Sequence, residues 1–448
     1  MAPFAKTGGL ADVAGSLPFA LGKLGVEVLI LMPRYRGLRG ELKKLSKNVS
    51  VGFIENEAFF NRSSLYGNDA GDYPDNLDRF SFFSDEALGF TKKQGFKPDI
   101  VHVNDWQTAL IPVFLKTKWA NDPFFQKTRT LLTIHNLAYQ GVFPERQFTK
   151  LGLDSSLFSI DGFEFYGKVN LLKAGILFAD AVNTVSPTYA REIQTDECGY
   201  SLDGVVRKRQ DVLRGILNGI DTNFWDPAKD KFIKGHYSKE NLKGKALCKK
   251  ALQERCGLEA DPAAPVFGMV TRLAQQKGLD ILADAAHKFF SQKAQFVLLG
   301  DGDGAYERKF RTLGRKYSKS AAVYLGFNAV EAHGIYAGAD FFLMPSLYEP
   351  CGLGQLISLR YGTIPVVRKT GGLADTIVDV KEDTERGNGF MFTHPTPEAF
   401  LGAVGRALKT FEDKKRFNLL RKHAMGCDFS WQHSAKEYKK FYTEVLKN

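Results

Sequence analysis

The stretch "TLLTIHN" (residues 130–136) decides the fold class. Its first five residues are apolar or β-branched with no period-two alternation. That is the mark of a strand buried on both faces, and therefore of a parallel sheet covered by helices. The polar pair His135 and Asn136 follows at the strand's carboxyl end. Other runs of the same character are VLILM (28–32), IVHV (100–103), AVNTV (181–185), VFGMV (266–270), FVLLG (296–300), AAVYL (321–325), DFFLM (340–344) and IPVV (364–367). Helical stretches lie between them. Leu10, Val13, Leu17, Leu21 and Leu24 follow the three-or-four spacing of a buried stripe, and Pro18 predicts a kink or restart within it.

The strands fall into two groups. Between them, residues 217–245 ("LNGIDTNFWDPAKDKFIKGHYSKENLKGK") are polar, lysine-rich and without apolar periodicity. This places an N-terminal Rossmann-like domain at 1–215 and a second at 216–429, each an α/β doubly wound parallel sheet. The last segment, 430–448, carries Tyr438, Phe441, Tyr442 and Val445 at helical spacing and reads as a final amphipathic helix over Ser434–Leu446.

Composition narrows the function classes. The 448 residues are 44% hydrophobic and 25% charged, which fits a globular chain of two to three domains. No apolar run is long enough for a membrane span, and the first residues carry no signal-peptide core. The five cysteines lack zinc spacing and point to a reducing compartment with no structural metal. Lys and Arg outnumber Asp and Glu by 61 to 50, a formal charge of +11. These cations are scattered, which argues against nucleic acid and suits an anionic small ligand. "GDGDG" (300–304) does not complete a dinucleotide fingerprint and reads as a turn.

In open parallel sheets, ligands bind beyond the carboxyl ends of the strands. The residues found there are Asn104, Asp105 and Trp106; His135 and Asn136; Ser186; Arg272, with Lys277 shortly after; and Ser346, followed by "YEPCGL" (348–353). The heptad "KTGGLAD" occurs twice, at 6–12 and 369–375. Each copy pairs glycines with a helix start, where free N–H groups and a positive dipole end suit an anion. Two such loops, with Arg272 and Lys277, lead us to expect a diphosphate between two Rossmann-like domains. Taken singly, these residues have plainer readings. Asp105 would cap a helix beginning at Trp106, Glu349 would be a first-turn acid, His135 a core histidine, Phe327 packing, and Arg272 and Lys277 partners of Asp301 and Asp303.

The stretches "MAPFAKTGGLADVAGSLP", "DIVHVNDWQTALIP", "TIHNLAYQGVFP", "LKAGILFADAVNTVSPTYAREI", "GILNGIDTNFWDP", "VTRLAQQKGLD", "SLYEPCGLGQL" and "YGTIPVVRKTGGLADTI" resemble, in order and nearly end to end, the bacterial glycogen synthases and plant starch synthases of glycosyltransferase family 5. The resemblance implies a GT-B fold, two Rossmann-like domains facing a deep cleft. It implies retaining transfer of glucose from ADP-glucose to the non-reducing end of an α-1,4-glucan (glycogen or starch), with no cofactor, metal, nucleic-acid or membrane partner. Lys6, with Gly8 and Gly9, would lie by the diphosphate, and Arg272 and Lys277 would stabilise the departing ADP. Glu349 and the Cys351, Gly352 and Leu353 loop would hold the glucose hydroxyls, with Gly371 and Gly372 amides beside it. His135, Asn136 and Asn218 would surround the glucose, Asp105 would belong to the active site, and Phe327 would stack on adenine. The final helix would return to the first domain.

Three departures from the family pattern stand out. Asn104 replaces a usual His, and Gly354 stands where Thr or Asn is common. Family members also open with a strand ahead of the first motif, which this chain would lack. The expectation is unpaired neighbouring strands and lower stability. Other retaining GT-B transferases using UDP-glucose or another sugar nucleotide usually carry a second glutamate where this chain has Ile357. A non-catalytic glucan-binding paralogue would be expected to lose Lys6, Arg272, Lys277 or Glu349. A bacterial cytoplasm is the expected location, or a plastid if an N-terminal segment precedes the domain.

Overall fold

The computed structural model describes residues 1–6, 8–68, 71–383 and 385–447, so Thr7 of the first heptad lies outside it. The chain forms two compact units, Met1–Asn218 together with Trp431–Asn448, and Gly219–Ser430. Among the described residues no helix is long and apolar enough to cross a membrane.

The first unit contains helix α1 (Gly9–Lys23) and strands β1 (Val28–Pro33), β2 (Leu42–Ser46), β3 (Val49–Ile54), β4 (Ile100–Asn104), β5 (Arg129–Ile134), β6 (Ala181–Thr184) and β7 (Leu213–Gly215). They make two sheets, ordered β1-β3-β2 and β7-β6-β5-β4. Of these seven strands, β2 alone runs antiparallel to its neighbour. β5 and β6 are almost wholly buried, as their unalternating sequences require. β2, "LKKLS", exposes most of its residues and forms a polar edge that the sequence reading did not include.

Helix α1 runs unbroken through Pro18, although that position cannot donate a backbone hydrogen bond. The expected restart does not occur because the helix has a large face to bury. Val13, Leu17, Ala20 and Leu21 pack with Trp431, Ala435, Tyr438, Phe441 and Val445 of α4 (Trp431–Val445), the last helix. That burial offsets the roughly 3 kcal/mol cost of an interior proline. Helix α4 is also tied to the strands by side chains. His102 of β4 meets the Tyr442 hydroxyl at 2.7 Å, and Asn183 of β6 donates to the Tyr438 hydroxyl at 3.2 Å.

The second unit is one six-stranded parallel sheet of β8 (Val266–Val270), β9 (Gln295–Gly300), β10 (Ala321–Leu325), β11 (Phe341–Met344), β12 (Ile364–Arg368) and β13 (Phe390–Phe392). The spatial order is β10-β9-β8-β11-β12-β13, with every pair parallel. This is the doubly wound Rossmann order, whose direction reverses between β8 and β11. Phe267 and Phe341 stack across that junction, ring centroids 4.8 Å apart, in the centre of the core. Helices α2 (Gly354–Arg360) and α3 (Gly371–Thr376) follow β11 and β12.

In the first unit β1 and β4 each terminate a sheet, with a strand on one side only. Both are half-buried where β5 and β6 are closed. The amino group of Met1 lies 4.0 Å from Met32 Sδ of β1, and burial lowers its pKa.

Candidate active site

In the second unit, the loops after β8 and β11 meet at the sheet's reversal point. Lys277 follows β8 and Glu349 follows β11. Their side chains form an ion pair of 2.6 Å, and Ser346 donates to the same carboxylate oxygen at 3.0 Å. Glu349 is 5% exposed. Backbone bonds fasten the two loops together, Leu347 N–H donating to Gln276 C=O at 2.8 Å. Arg272 is exposed and has no carboxylate partner among the described residues. Asp303, its expected partner from sequence, instead caps a helix by accepting the Ala305 amide. Phe327 lies just past the end of β10 and is 74% exposed, so packing does not account for it.

The two KTGGLAD copies differ in what surrounds their glycines. A Cβ on Gly371 would lie 2.0 Å from Glu349 C=O, and one on Gly372 would lie 2.1 Å from Cys351 C=O. The Gly372 amide donates to the carbonyls of Glu349 and Pro350 at 3.0 and 3.2 Å. It is therefore turned into the 349–352 loop, not toward an anion as sequence suggested, and this glycine pair serves backbone-to-backbone contact. A Cβ on Gly8 or Gly9 would meet nothing within 4 Å, which leaves the first loop open. Lys6 there pairs with Asp12 at 2.7 Å, with both side chains substantially exposed. Lys369 is likewise a surface residue, 3.6 Å from Glu382. At Gly354 a Cβ would come within 2.9 Å of the Phe342 ring, which explains a glycine at this position.

In the first unit, Asp105 does not cap the short helix at Trp106. Its backbone is left-handed, φ 55°, unusual for a non-glycine residue. That turn swings the carboxylate across to the next strand end, where Oδ1 accepts the His135 amide at 2.7 Å. Burial pushes Asp105 up to about 7, against amide hydrogen bonds from His135 and Asn136 that lower it. Burial first, and then His102, bring His135 down to about 3, so its imidazole is neutral at physiological pH. The His135 ring Nε2 faces Asn104 Oδ1 at 2.9 Å. As that oxygen can only accept, Nε2 carries the proton. Asn104 therefore fixes one imidazole tautomer in the place where a His is usual. Asn136 closes a local turn onto the Ala138 amide. Asn218 is buried, and its side-chain oxygen has no partner among the described residues.

Beside this constellation a cavity of about 720 Å³ is lined by Tyr73, Asn76, Trp106, Tyr139 and Gln140, among others. Aromatic faces and amides together suit a sugar, which presents apolar C–H faces and a rim of hydroxyls. Sequence reasoning missed these lining residues apart from Trp106. The one available signal was "AYQG" (138–141), one residue after Asn136.

Residues 1–208 match the family described as the starch synthase catalytic domain, and residues 253–419 match glycosyl transferases group 1. A glycogen synthase of Syntrophotalea carbinolica is 46% identical over 470 residues, covering 100% of this chain and 97% of that protein. One of Geotalea uraniireducens is 48% identical over 468 residues, covering 99% and 97%. The chain belongs to the glycogen synthase and starch synthase family. Within this family, the catalytic domain of starch synthase IV from Arabidopsis thaliana, bound to ADP and acarbose, matches with a TM-score of 0.92 at 35% identity. That match covers 100% of this chain and 98% of the other. A sucrose-phosphate synthase from Thermosynechococcus elongatus, 17% identical with a TM-score of 0.65, shares the GT-B fold.

Asp105 gives this site a measurable pH signature. Its folded pKa lies above the ordinary 3.8, so the fold favours the protonated acid relative to the unfolded chain. That contribution is complete below about pH 4 and is lost as pH rises through about 7. Asp105→Asn has no such titration. Its thermal midpoint relative to wild type is expected to climb from pH 5 to about pH 7 and to level off above that. A difference that stays constant over that range would contradict the shift.

Proposed function

We propose that the chain is a retaining glucosyltransferase that extends an α-1,4-glucan by moving glucose from ADP-glucose to the non-reducing-end 4-hydroxyl. The observation that carries this reading is the Lys277–Glu349 pair at the reversal point of a Rossmann-ordered sheet, in a chain related over its whole length to glycogen synthases. In this reading Lys6, Arg272 and Lys277 bear on the diphosphate. Their charge stabilises the negative charge that builds on the leaving ADP, a preorganised electrostatic effect. Glu349, with the amides of the Cys351, Gly352 and Leu353 loop, holds glucose hydroxyls. Neutral His135, Asn136 and Asn218 supply further hydrogen bonds to the sugar, and Asp105 orients the loop that carries the first two. Phe327 offers its exposed ring to the adenine, and the aromatic cavity of the first unit takes the glucan acceptor.

ADP as the leaving group is supported by the ADP-bound starch synthase IV domain. The bacterial origin of the glycogen synthase relatives supports a cytoplasmic place of action.

Transfer of labelled glucose to glycogen tests the proposal, with ADP-glucose and UDP-glucose compared as donors. ADP-glucose is expected to be preferred. Lys277→Ala is expected to lower kcat by roughly a hundredfold or more, the scale of losing one preorganised charge contact. Tyr139→Ala is expected to raise the KM for glycogen and leave the donor KM unchanged. Preference for UDP-glucose would overturn the donor assignment, and no transfer from either donor would overturn the reaction.

A further inference from the structure

Gln355 of α2 is completely buried and has so far been given no role. Its Nε2 donates to Cys351 C=O at 2.9 Å, to Gly352 C=O at 3.1 Å and to Thr376 Oγ1 at 3.3 Å. The two carbonyls fix which way its amide faces, since an oxygen in that place would repel both. The other end, Oε1, is buried with no partner among the described residues. A buried acceptor left unsatisfied is costly, and each case in a native protein calls for an explanation. A side chain retained only for packing would avoid that cost.

The explanation lies in the peptide plane. In a trans peptide, the C=O of one residue and the N–H of the next point in opposite directions. Holding the Cys351 carbonyl inward therefore turns the Gly352 amide outward, and holding the Gly352 carbonyl turns the Leu353 amide outward. The two preceding carbonyls, of Glu349 and Pro350, are held by the Gly372 amide. Four successive carbonyls are thus pinned on one side of the loop, two by the second heptad and two by Gln355. Gln355 also joins the supports to each other, because Thr376 in turn donates to Gly372 C=O at 2.6 Å. Gly352 has φ 73°, and a Cβ there would lie 2.4 Å from Gln355 Oε1, so the loop and this side chain are mutually fitted.

We infer that Gln355 is a positioning residue for donor binding: it pins the Cys351 and Gly352 carbonyls so that the Gly352 and Leu353 amides are presented to the sugar nucleotide. The inference deepens the proposed function and rests on it for the identity of the ligand. Gln355 touches no substrate and acts through the loop.

The test compares wild type with Gln355→Met, which keeps the volume and loses the donor, and Gln355→Glu, which keeps the shape. For Gln355→Met the KM for ADP-glucose is expected to rise about tenfold, with the KM for glycogen unchanged. For Gln355→Glu, whose carboxyl can donate only when protonated, the donor KM is expected to rise with pH across its titration. A merely structural role would lower kcat and the thermal midpoint and leave both KM values and their pH dependence at wild-type levels, which would overturn the inference. Should Gln355→Met not fold, a donor KM for Gln355→Glu that is flat with pH overturns it equally. Calorimetric titration with ADP-glucose reads the same inference without turnover. Wild-type binding with about tenfold weaker binding by Gln355→Met supports it even where glucose transfer fails, and equal affinities overturn it. A wild-type chain that does not bind ADP-glucose overturns both this inference and the proposed function.

Discussion

Parallel strands deliver all their carboxyl ends to one side of a sheet, and the chemistry of this protein depends on that constraint. Each strand must be followed by a helix that carries the chain back, so the loops beyond the strand ends are short, numerous and close together. In the second unit this brings Lys277 and Glu349, 72 positions apart in sequence, to 2.6 Å. In the first unit it sets Asp105 of one loop against the amide of His135 on the next. Neither contact needs a long excursion of the chain. A low-dielectric sheet behind each loop disfavours charge there, which is how burial raises the Asp105 pKa and lowers that of His135, each toward its neutral form.

The same constraint explains what could be read from sequence. Strands such as "FVLLG" and "DFFLM" announced themselves because both faces are buried, leaving no polar position to blur the pattern. Residues just beyond them were therefore legible as site candidates. β2 and β13 were not: one is an exposed edge of lysines, the other three residues long. The cavity beside His135 was also hidden. Tyr73, Asn76 and Tyr139 are ordinary residues until separate segments bring them together. The course of α1 through Pro18 was decided by a helix more than four hundred residues away, which no local rule contains.

The repeated heptad shows where identical sequence ceases to mean identical role. Glycine permits close approach, but the sequence does not say of what. At Gly371 and Gly372 the approaching group is the backbone of the 349–352 loop, and the amide of Gly372 is consumed in holding it. At Gly8 and Gly9 the space is open. One copy thus acts as a buttress for the 349–352 loop, and the other leaves its glycines uncovered.

Helix α4 belongs to the first unit although it is the last part of the chain. Trp431, Tyr438 and Phe441 complete a core begun by Val13, Leu17 and Leu21. The second unit is thus spliced between two pieces of the first. During synthesis its 219–430 segment emerges whole and is free to fold on its own, domain by domain as larger chains generally do. In the first unit, although it is made first, the face of α1 that α4 covers must wait until residues 431–445 have been made. For this part of the first unit birth order and folding order are opposed, and until α4 emerges the apolar face of α1 stays open to solvent and to any chaperone that covers it.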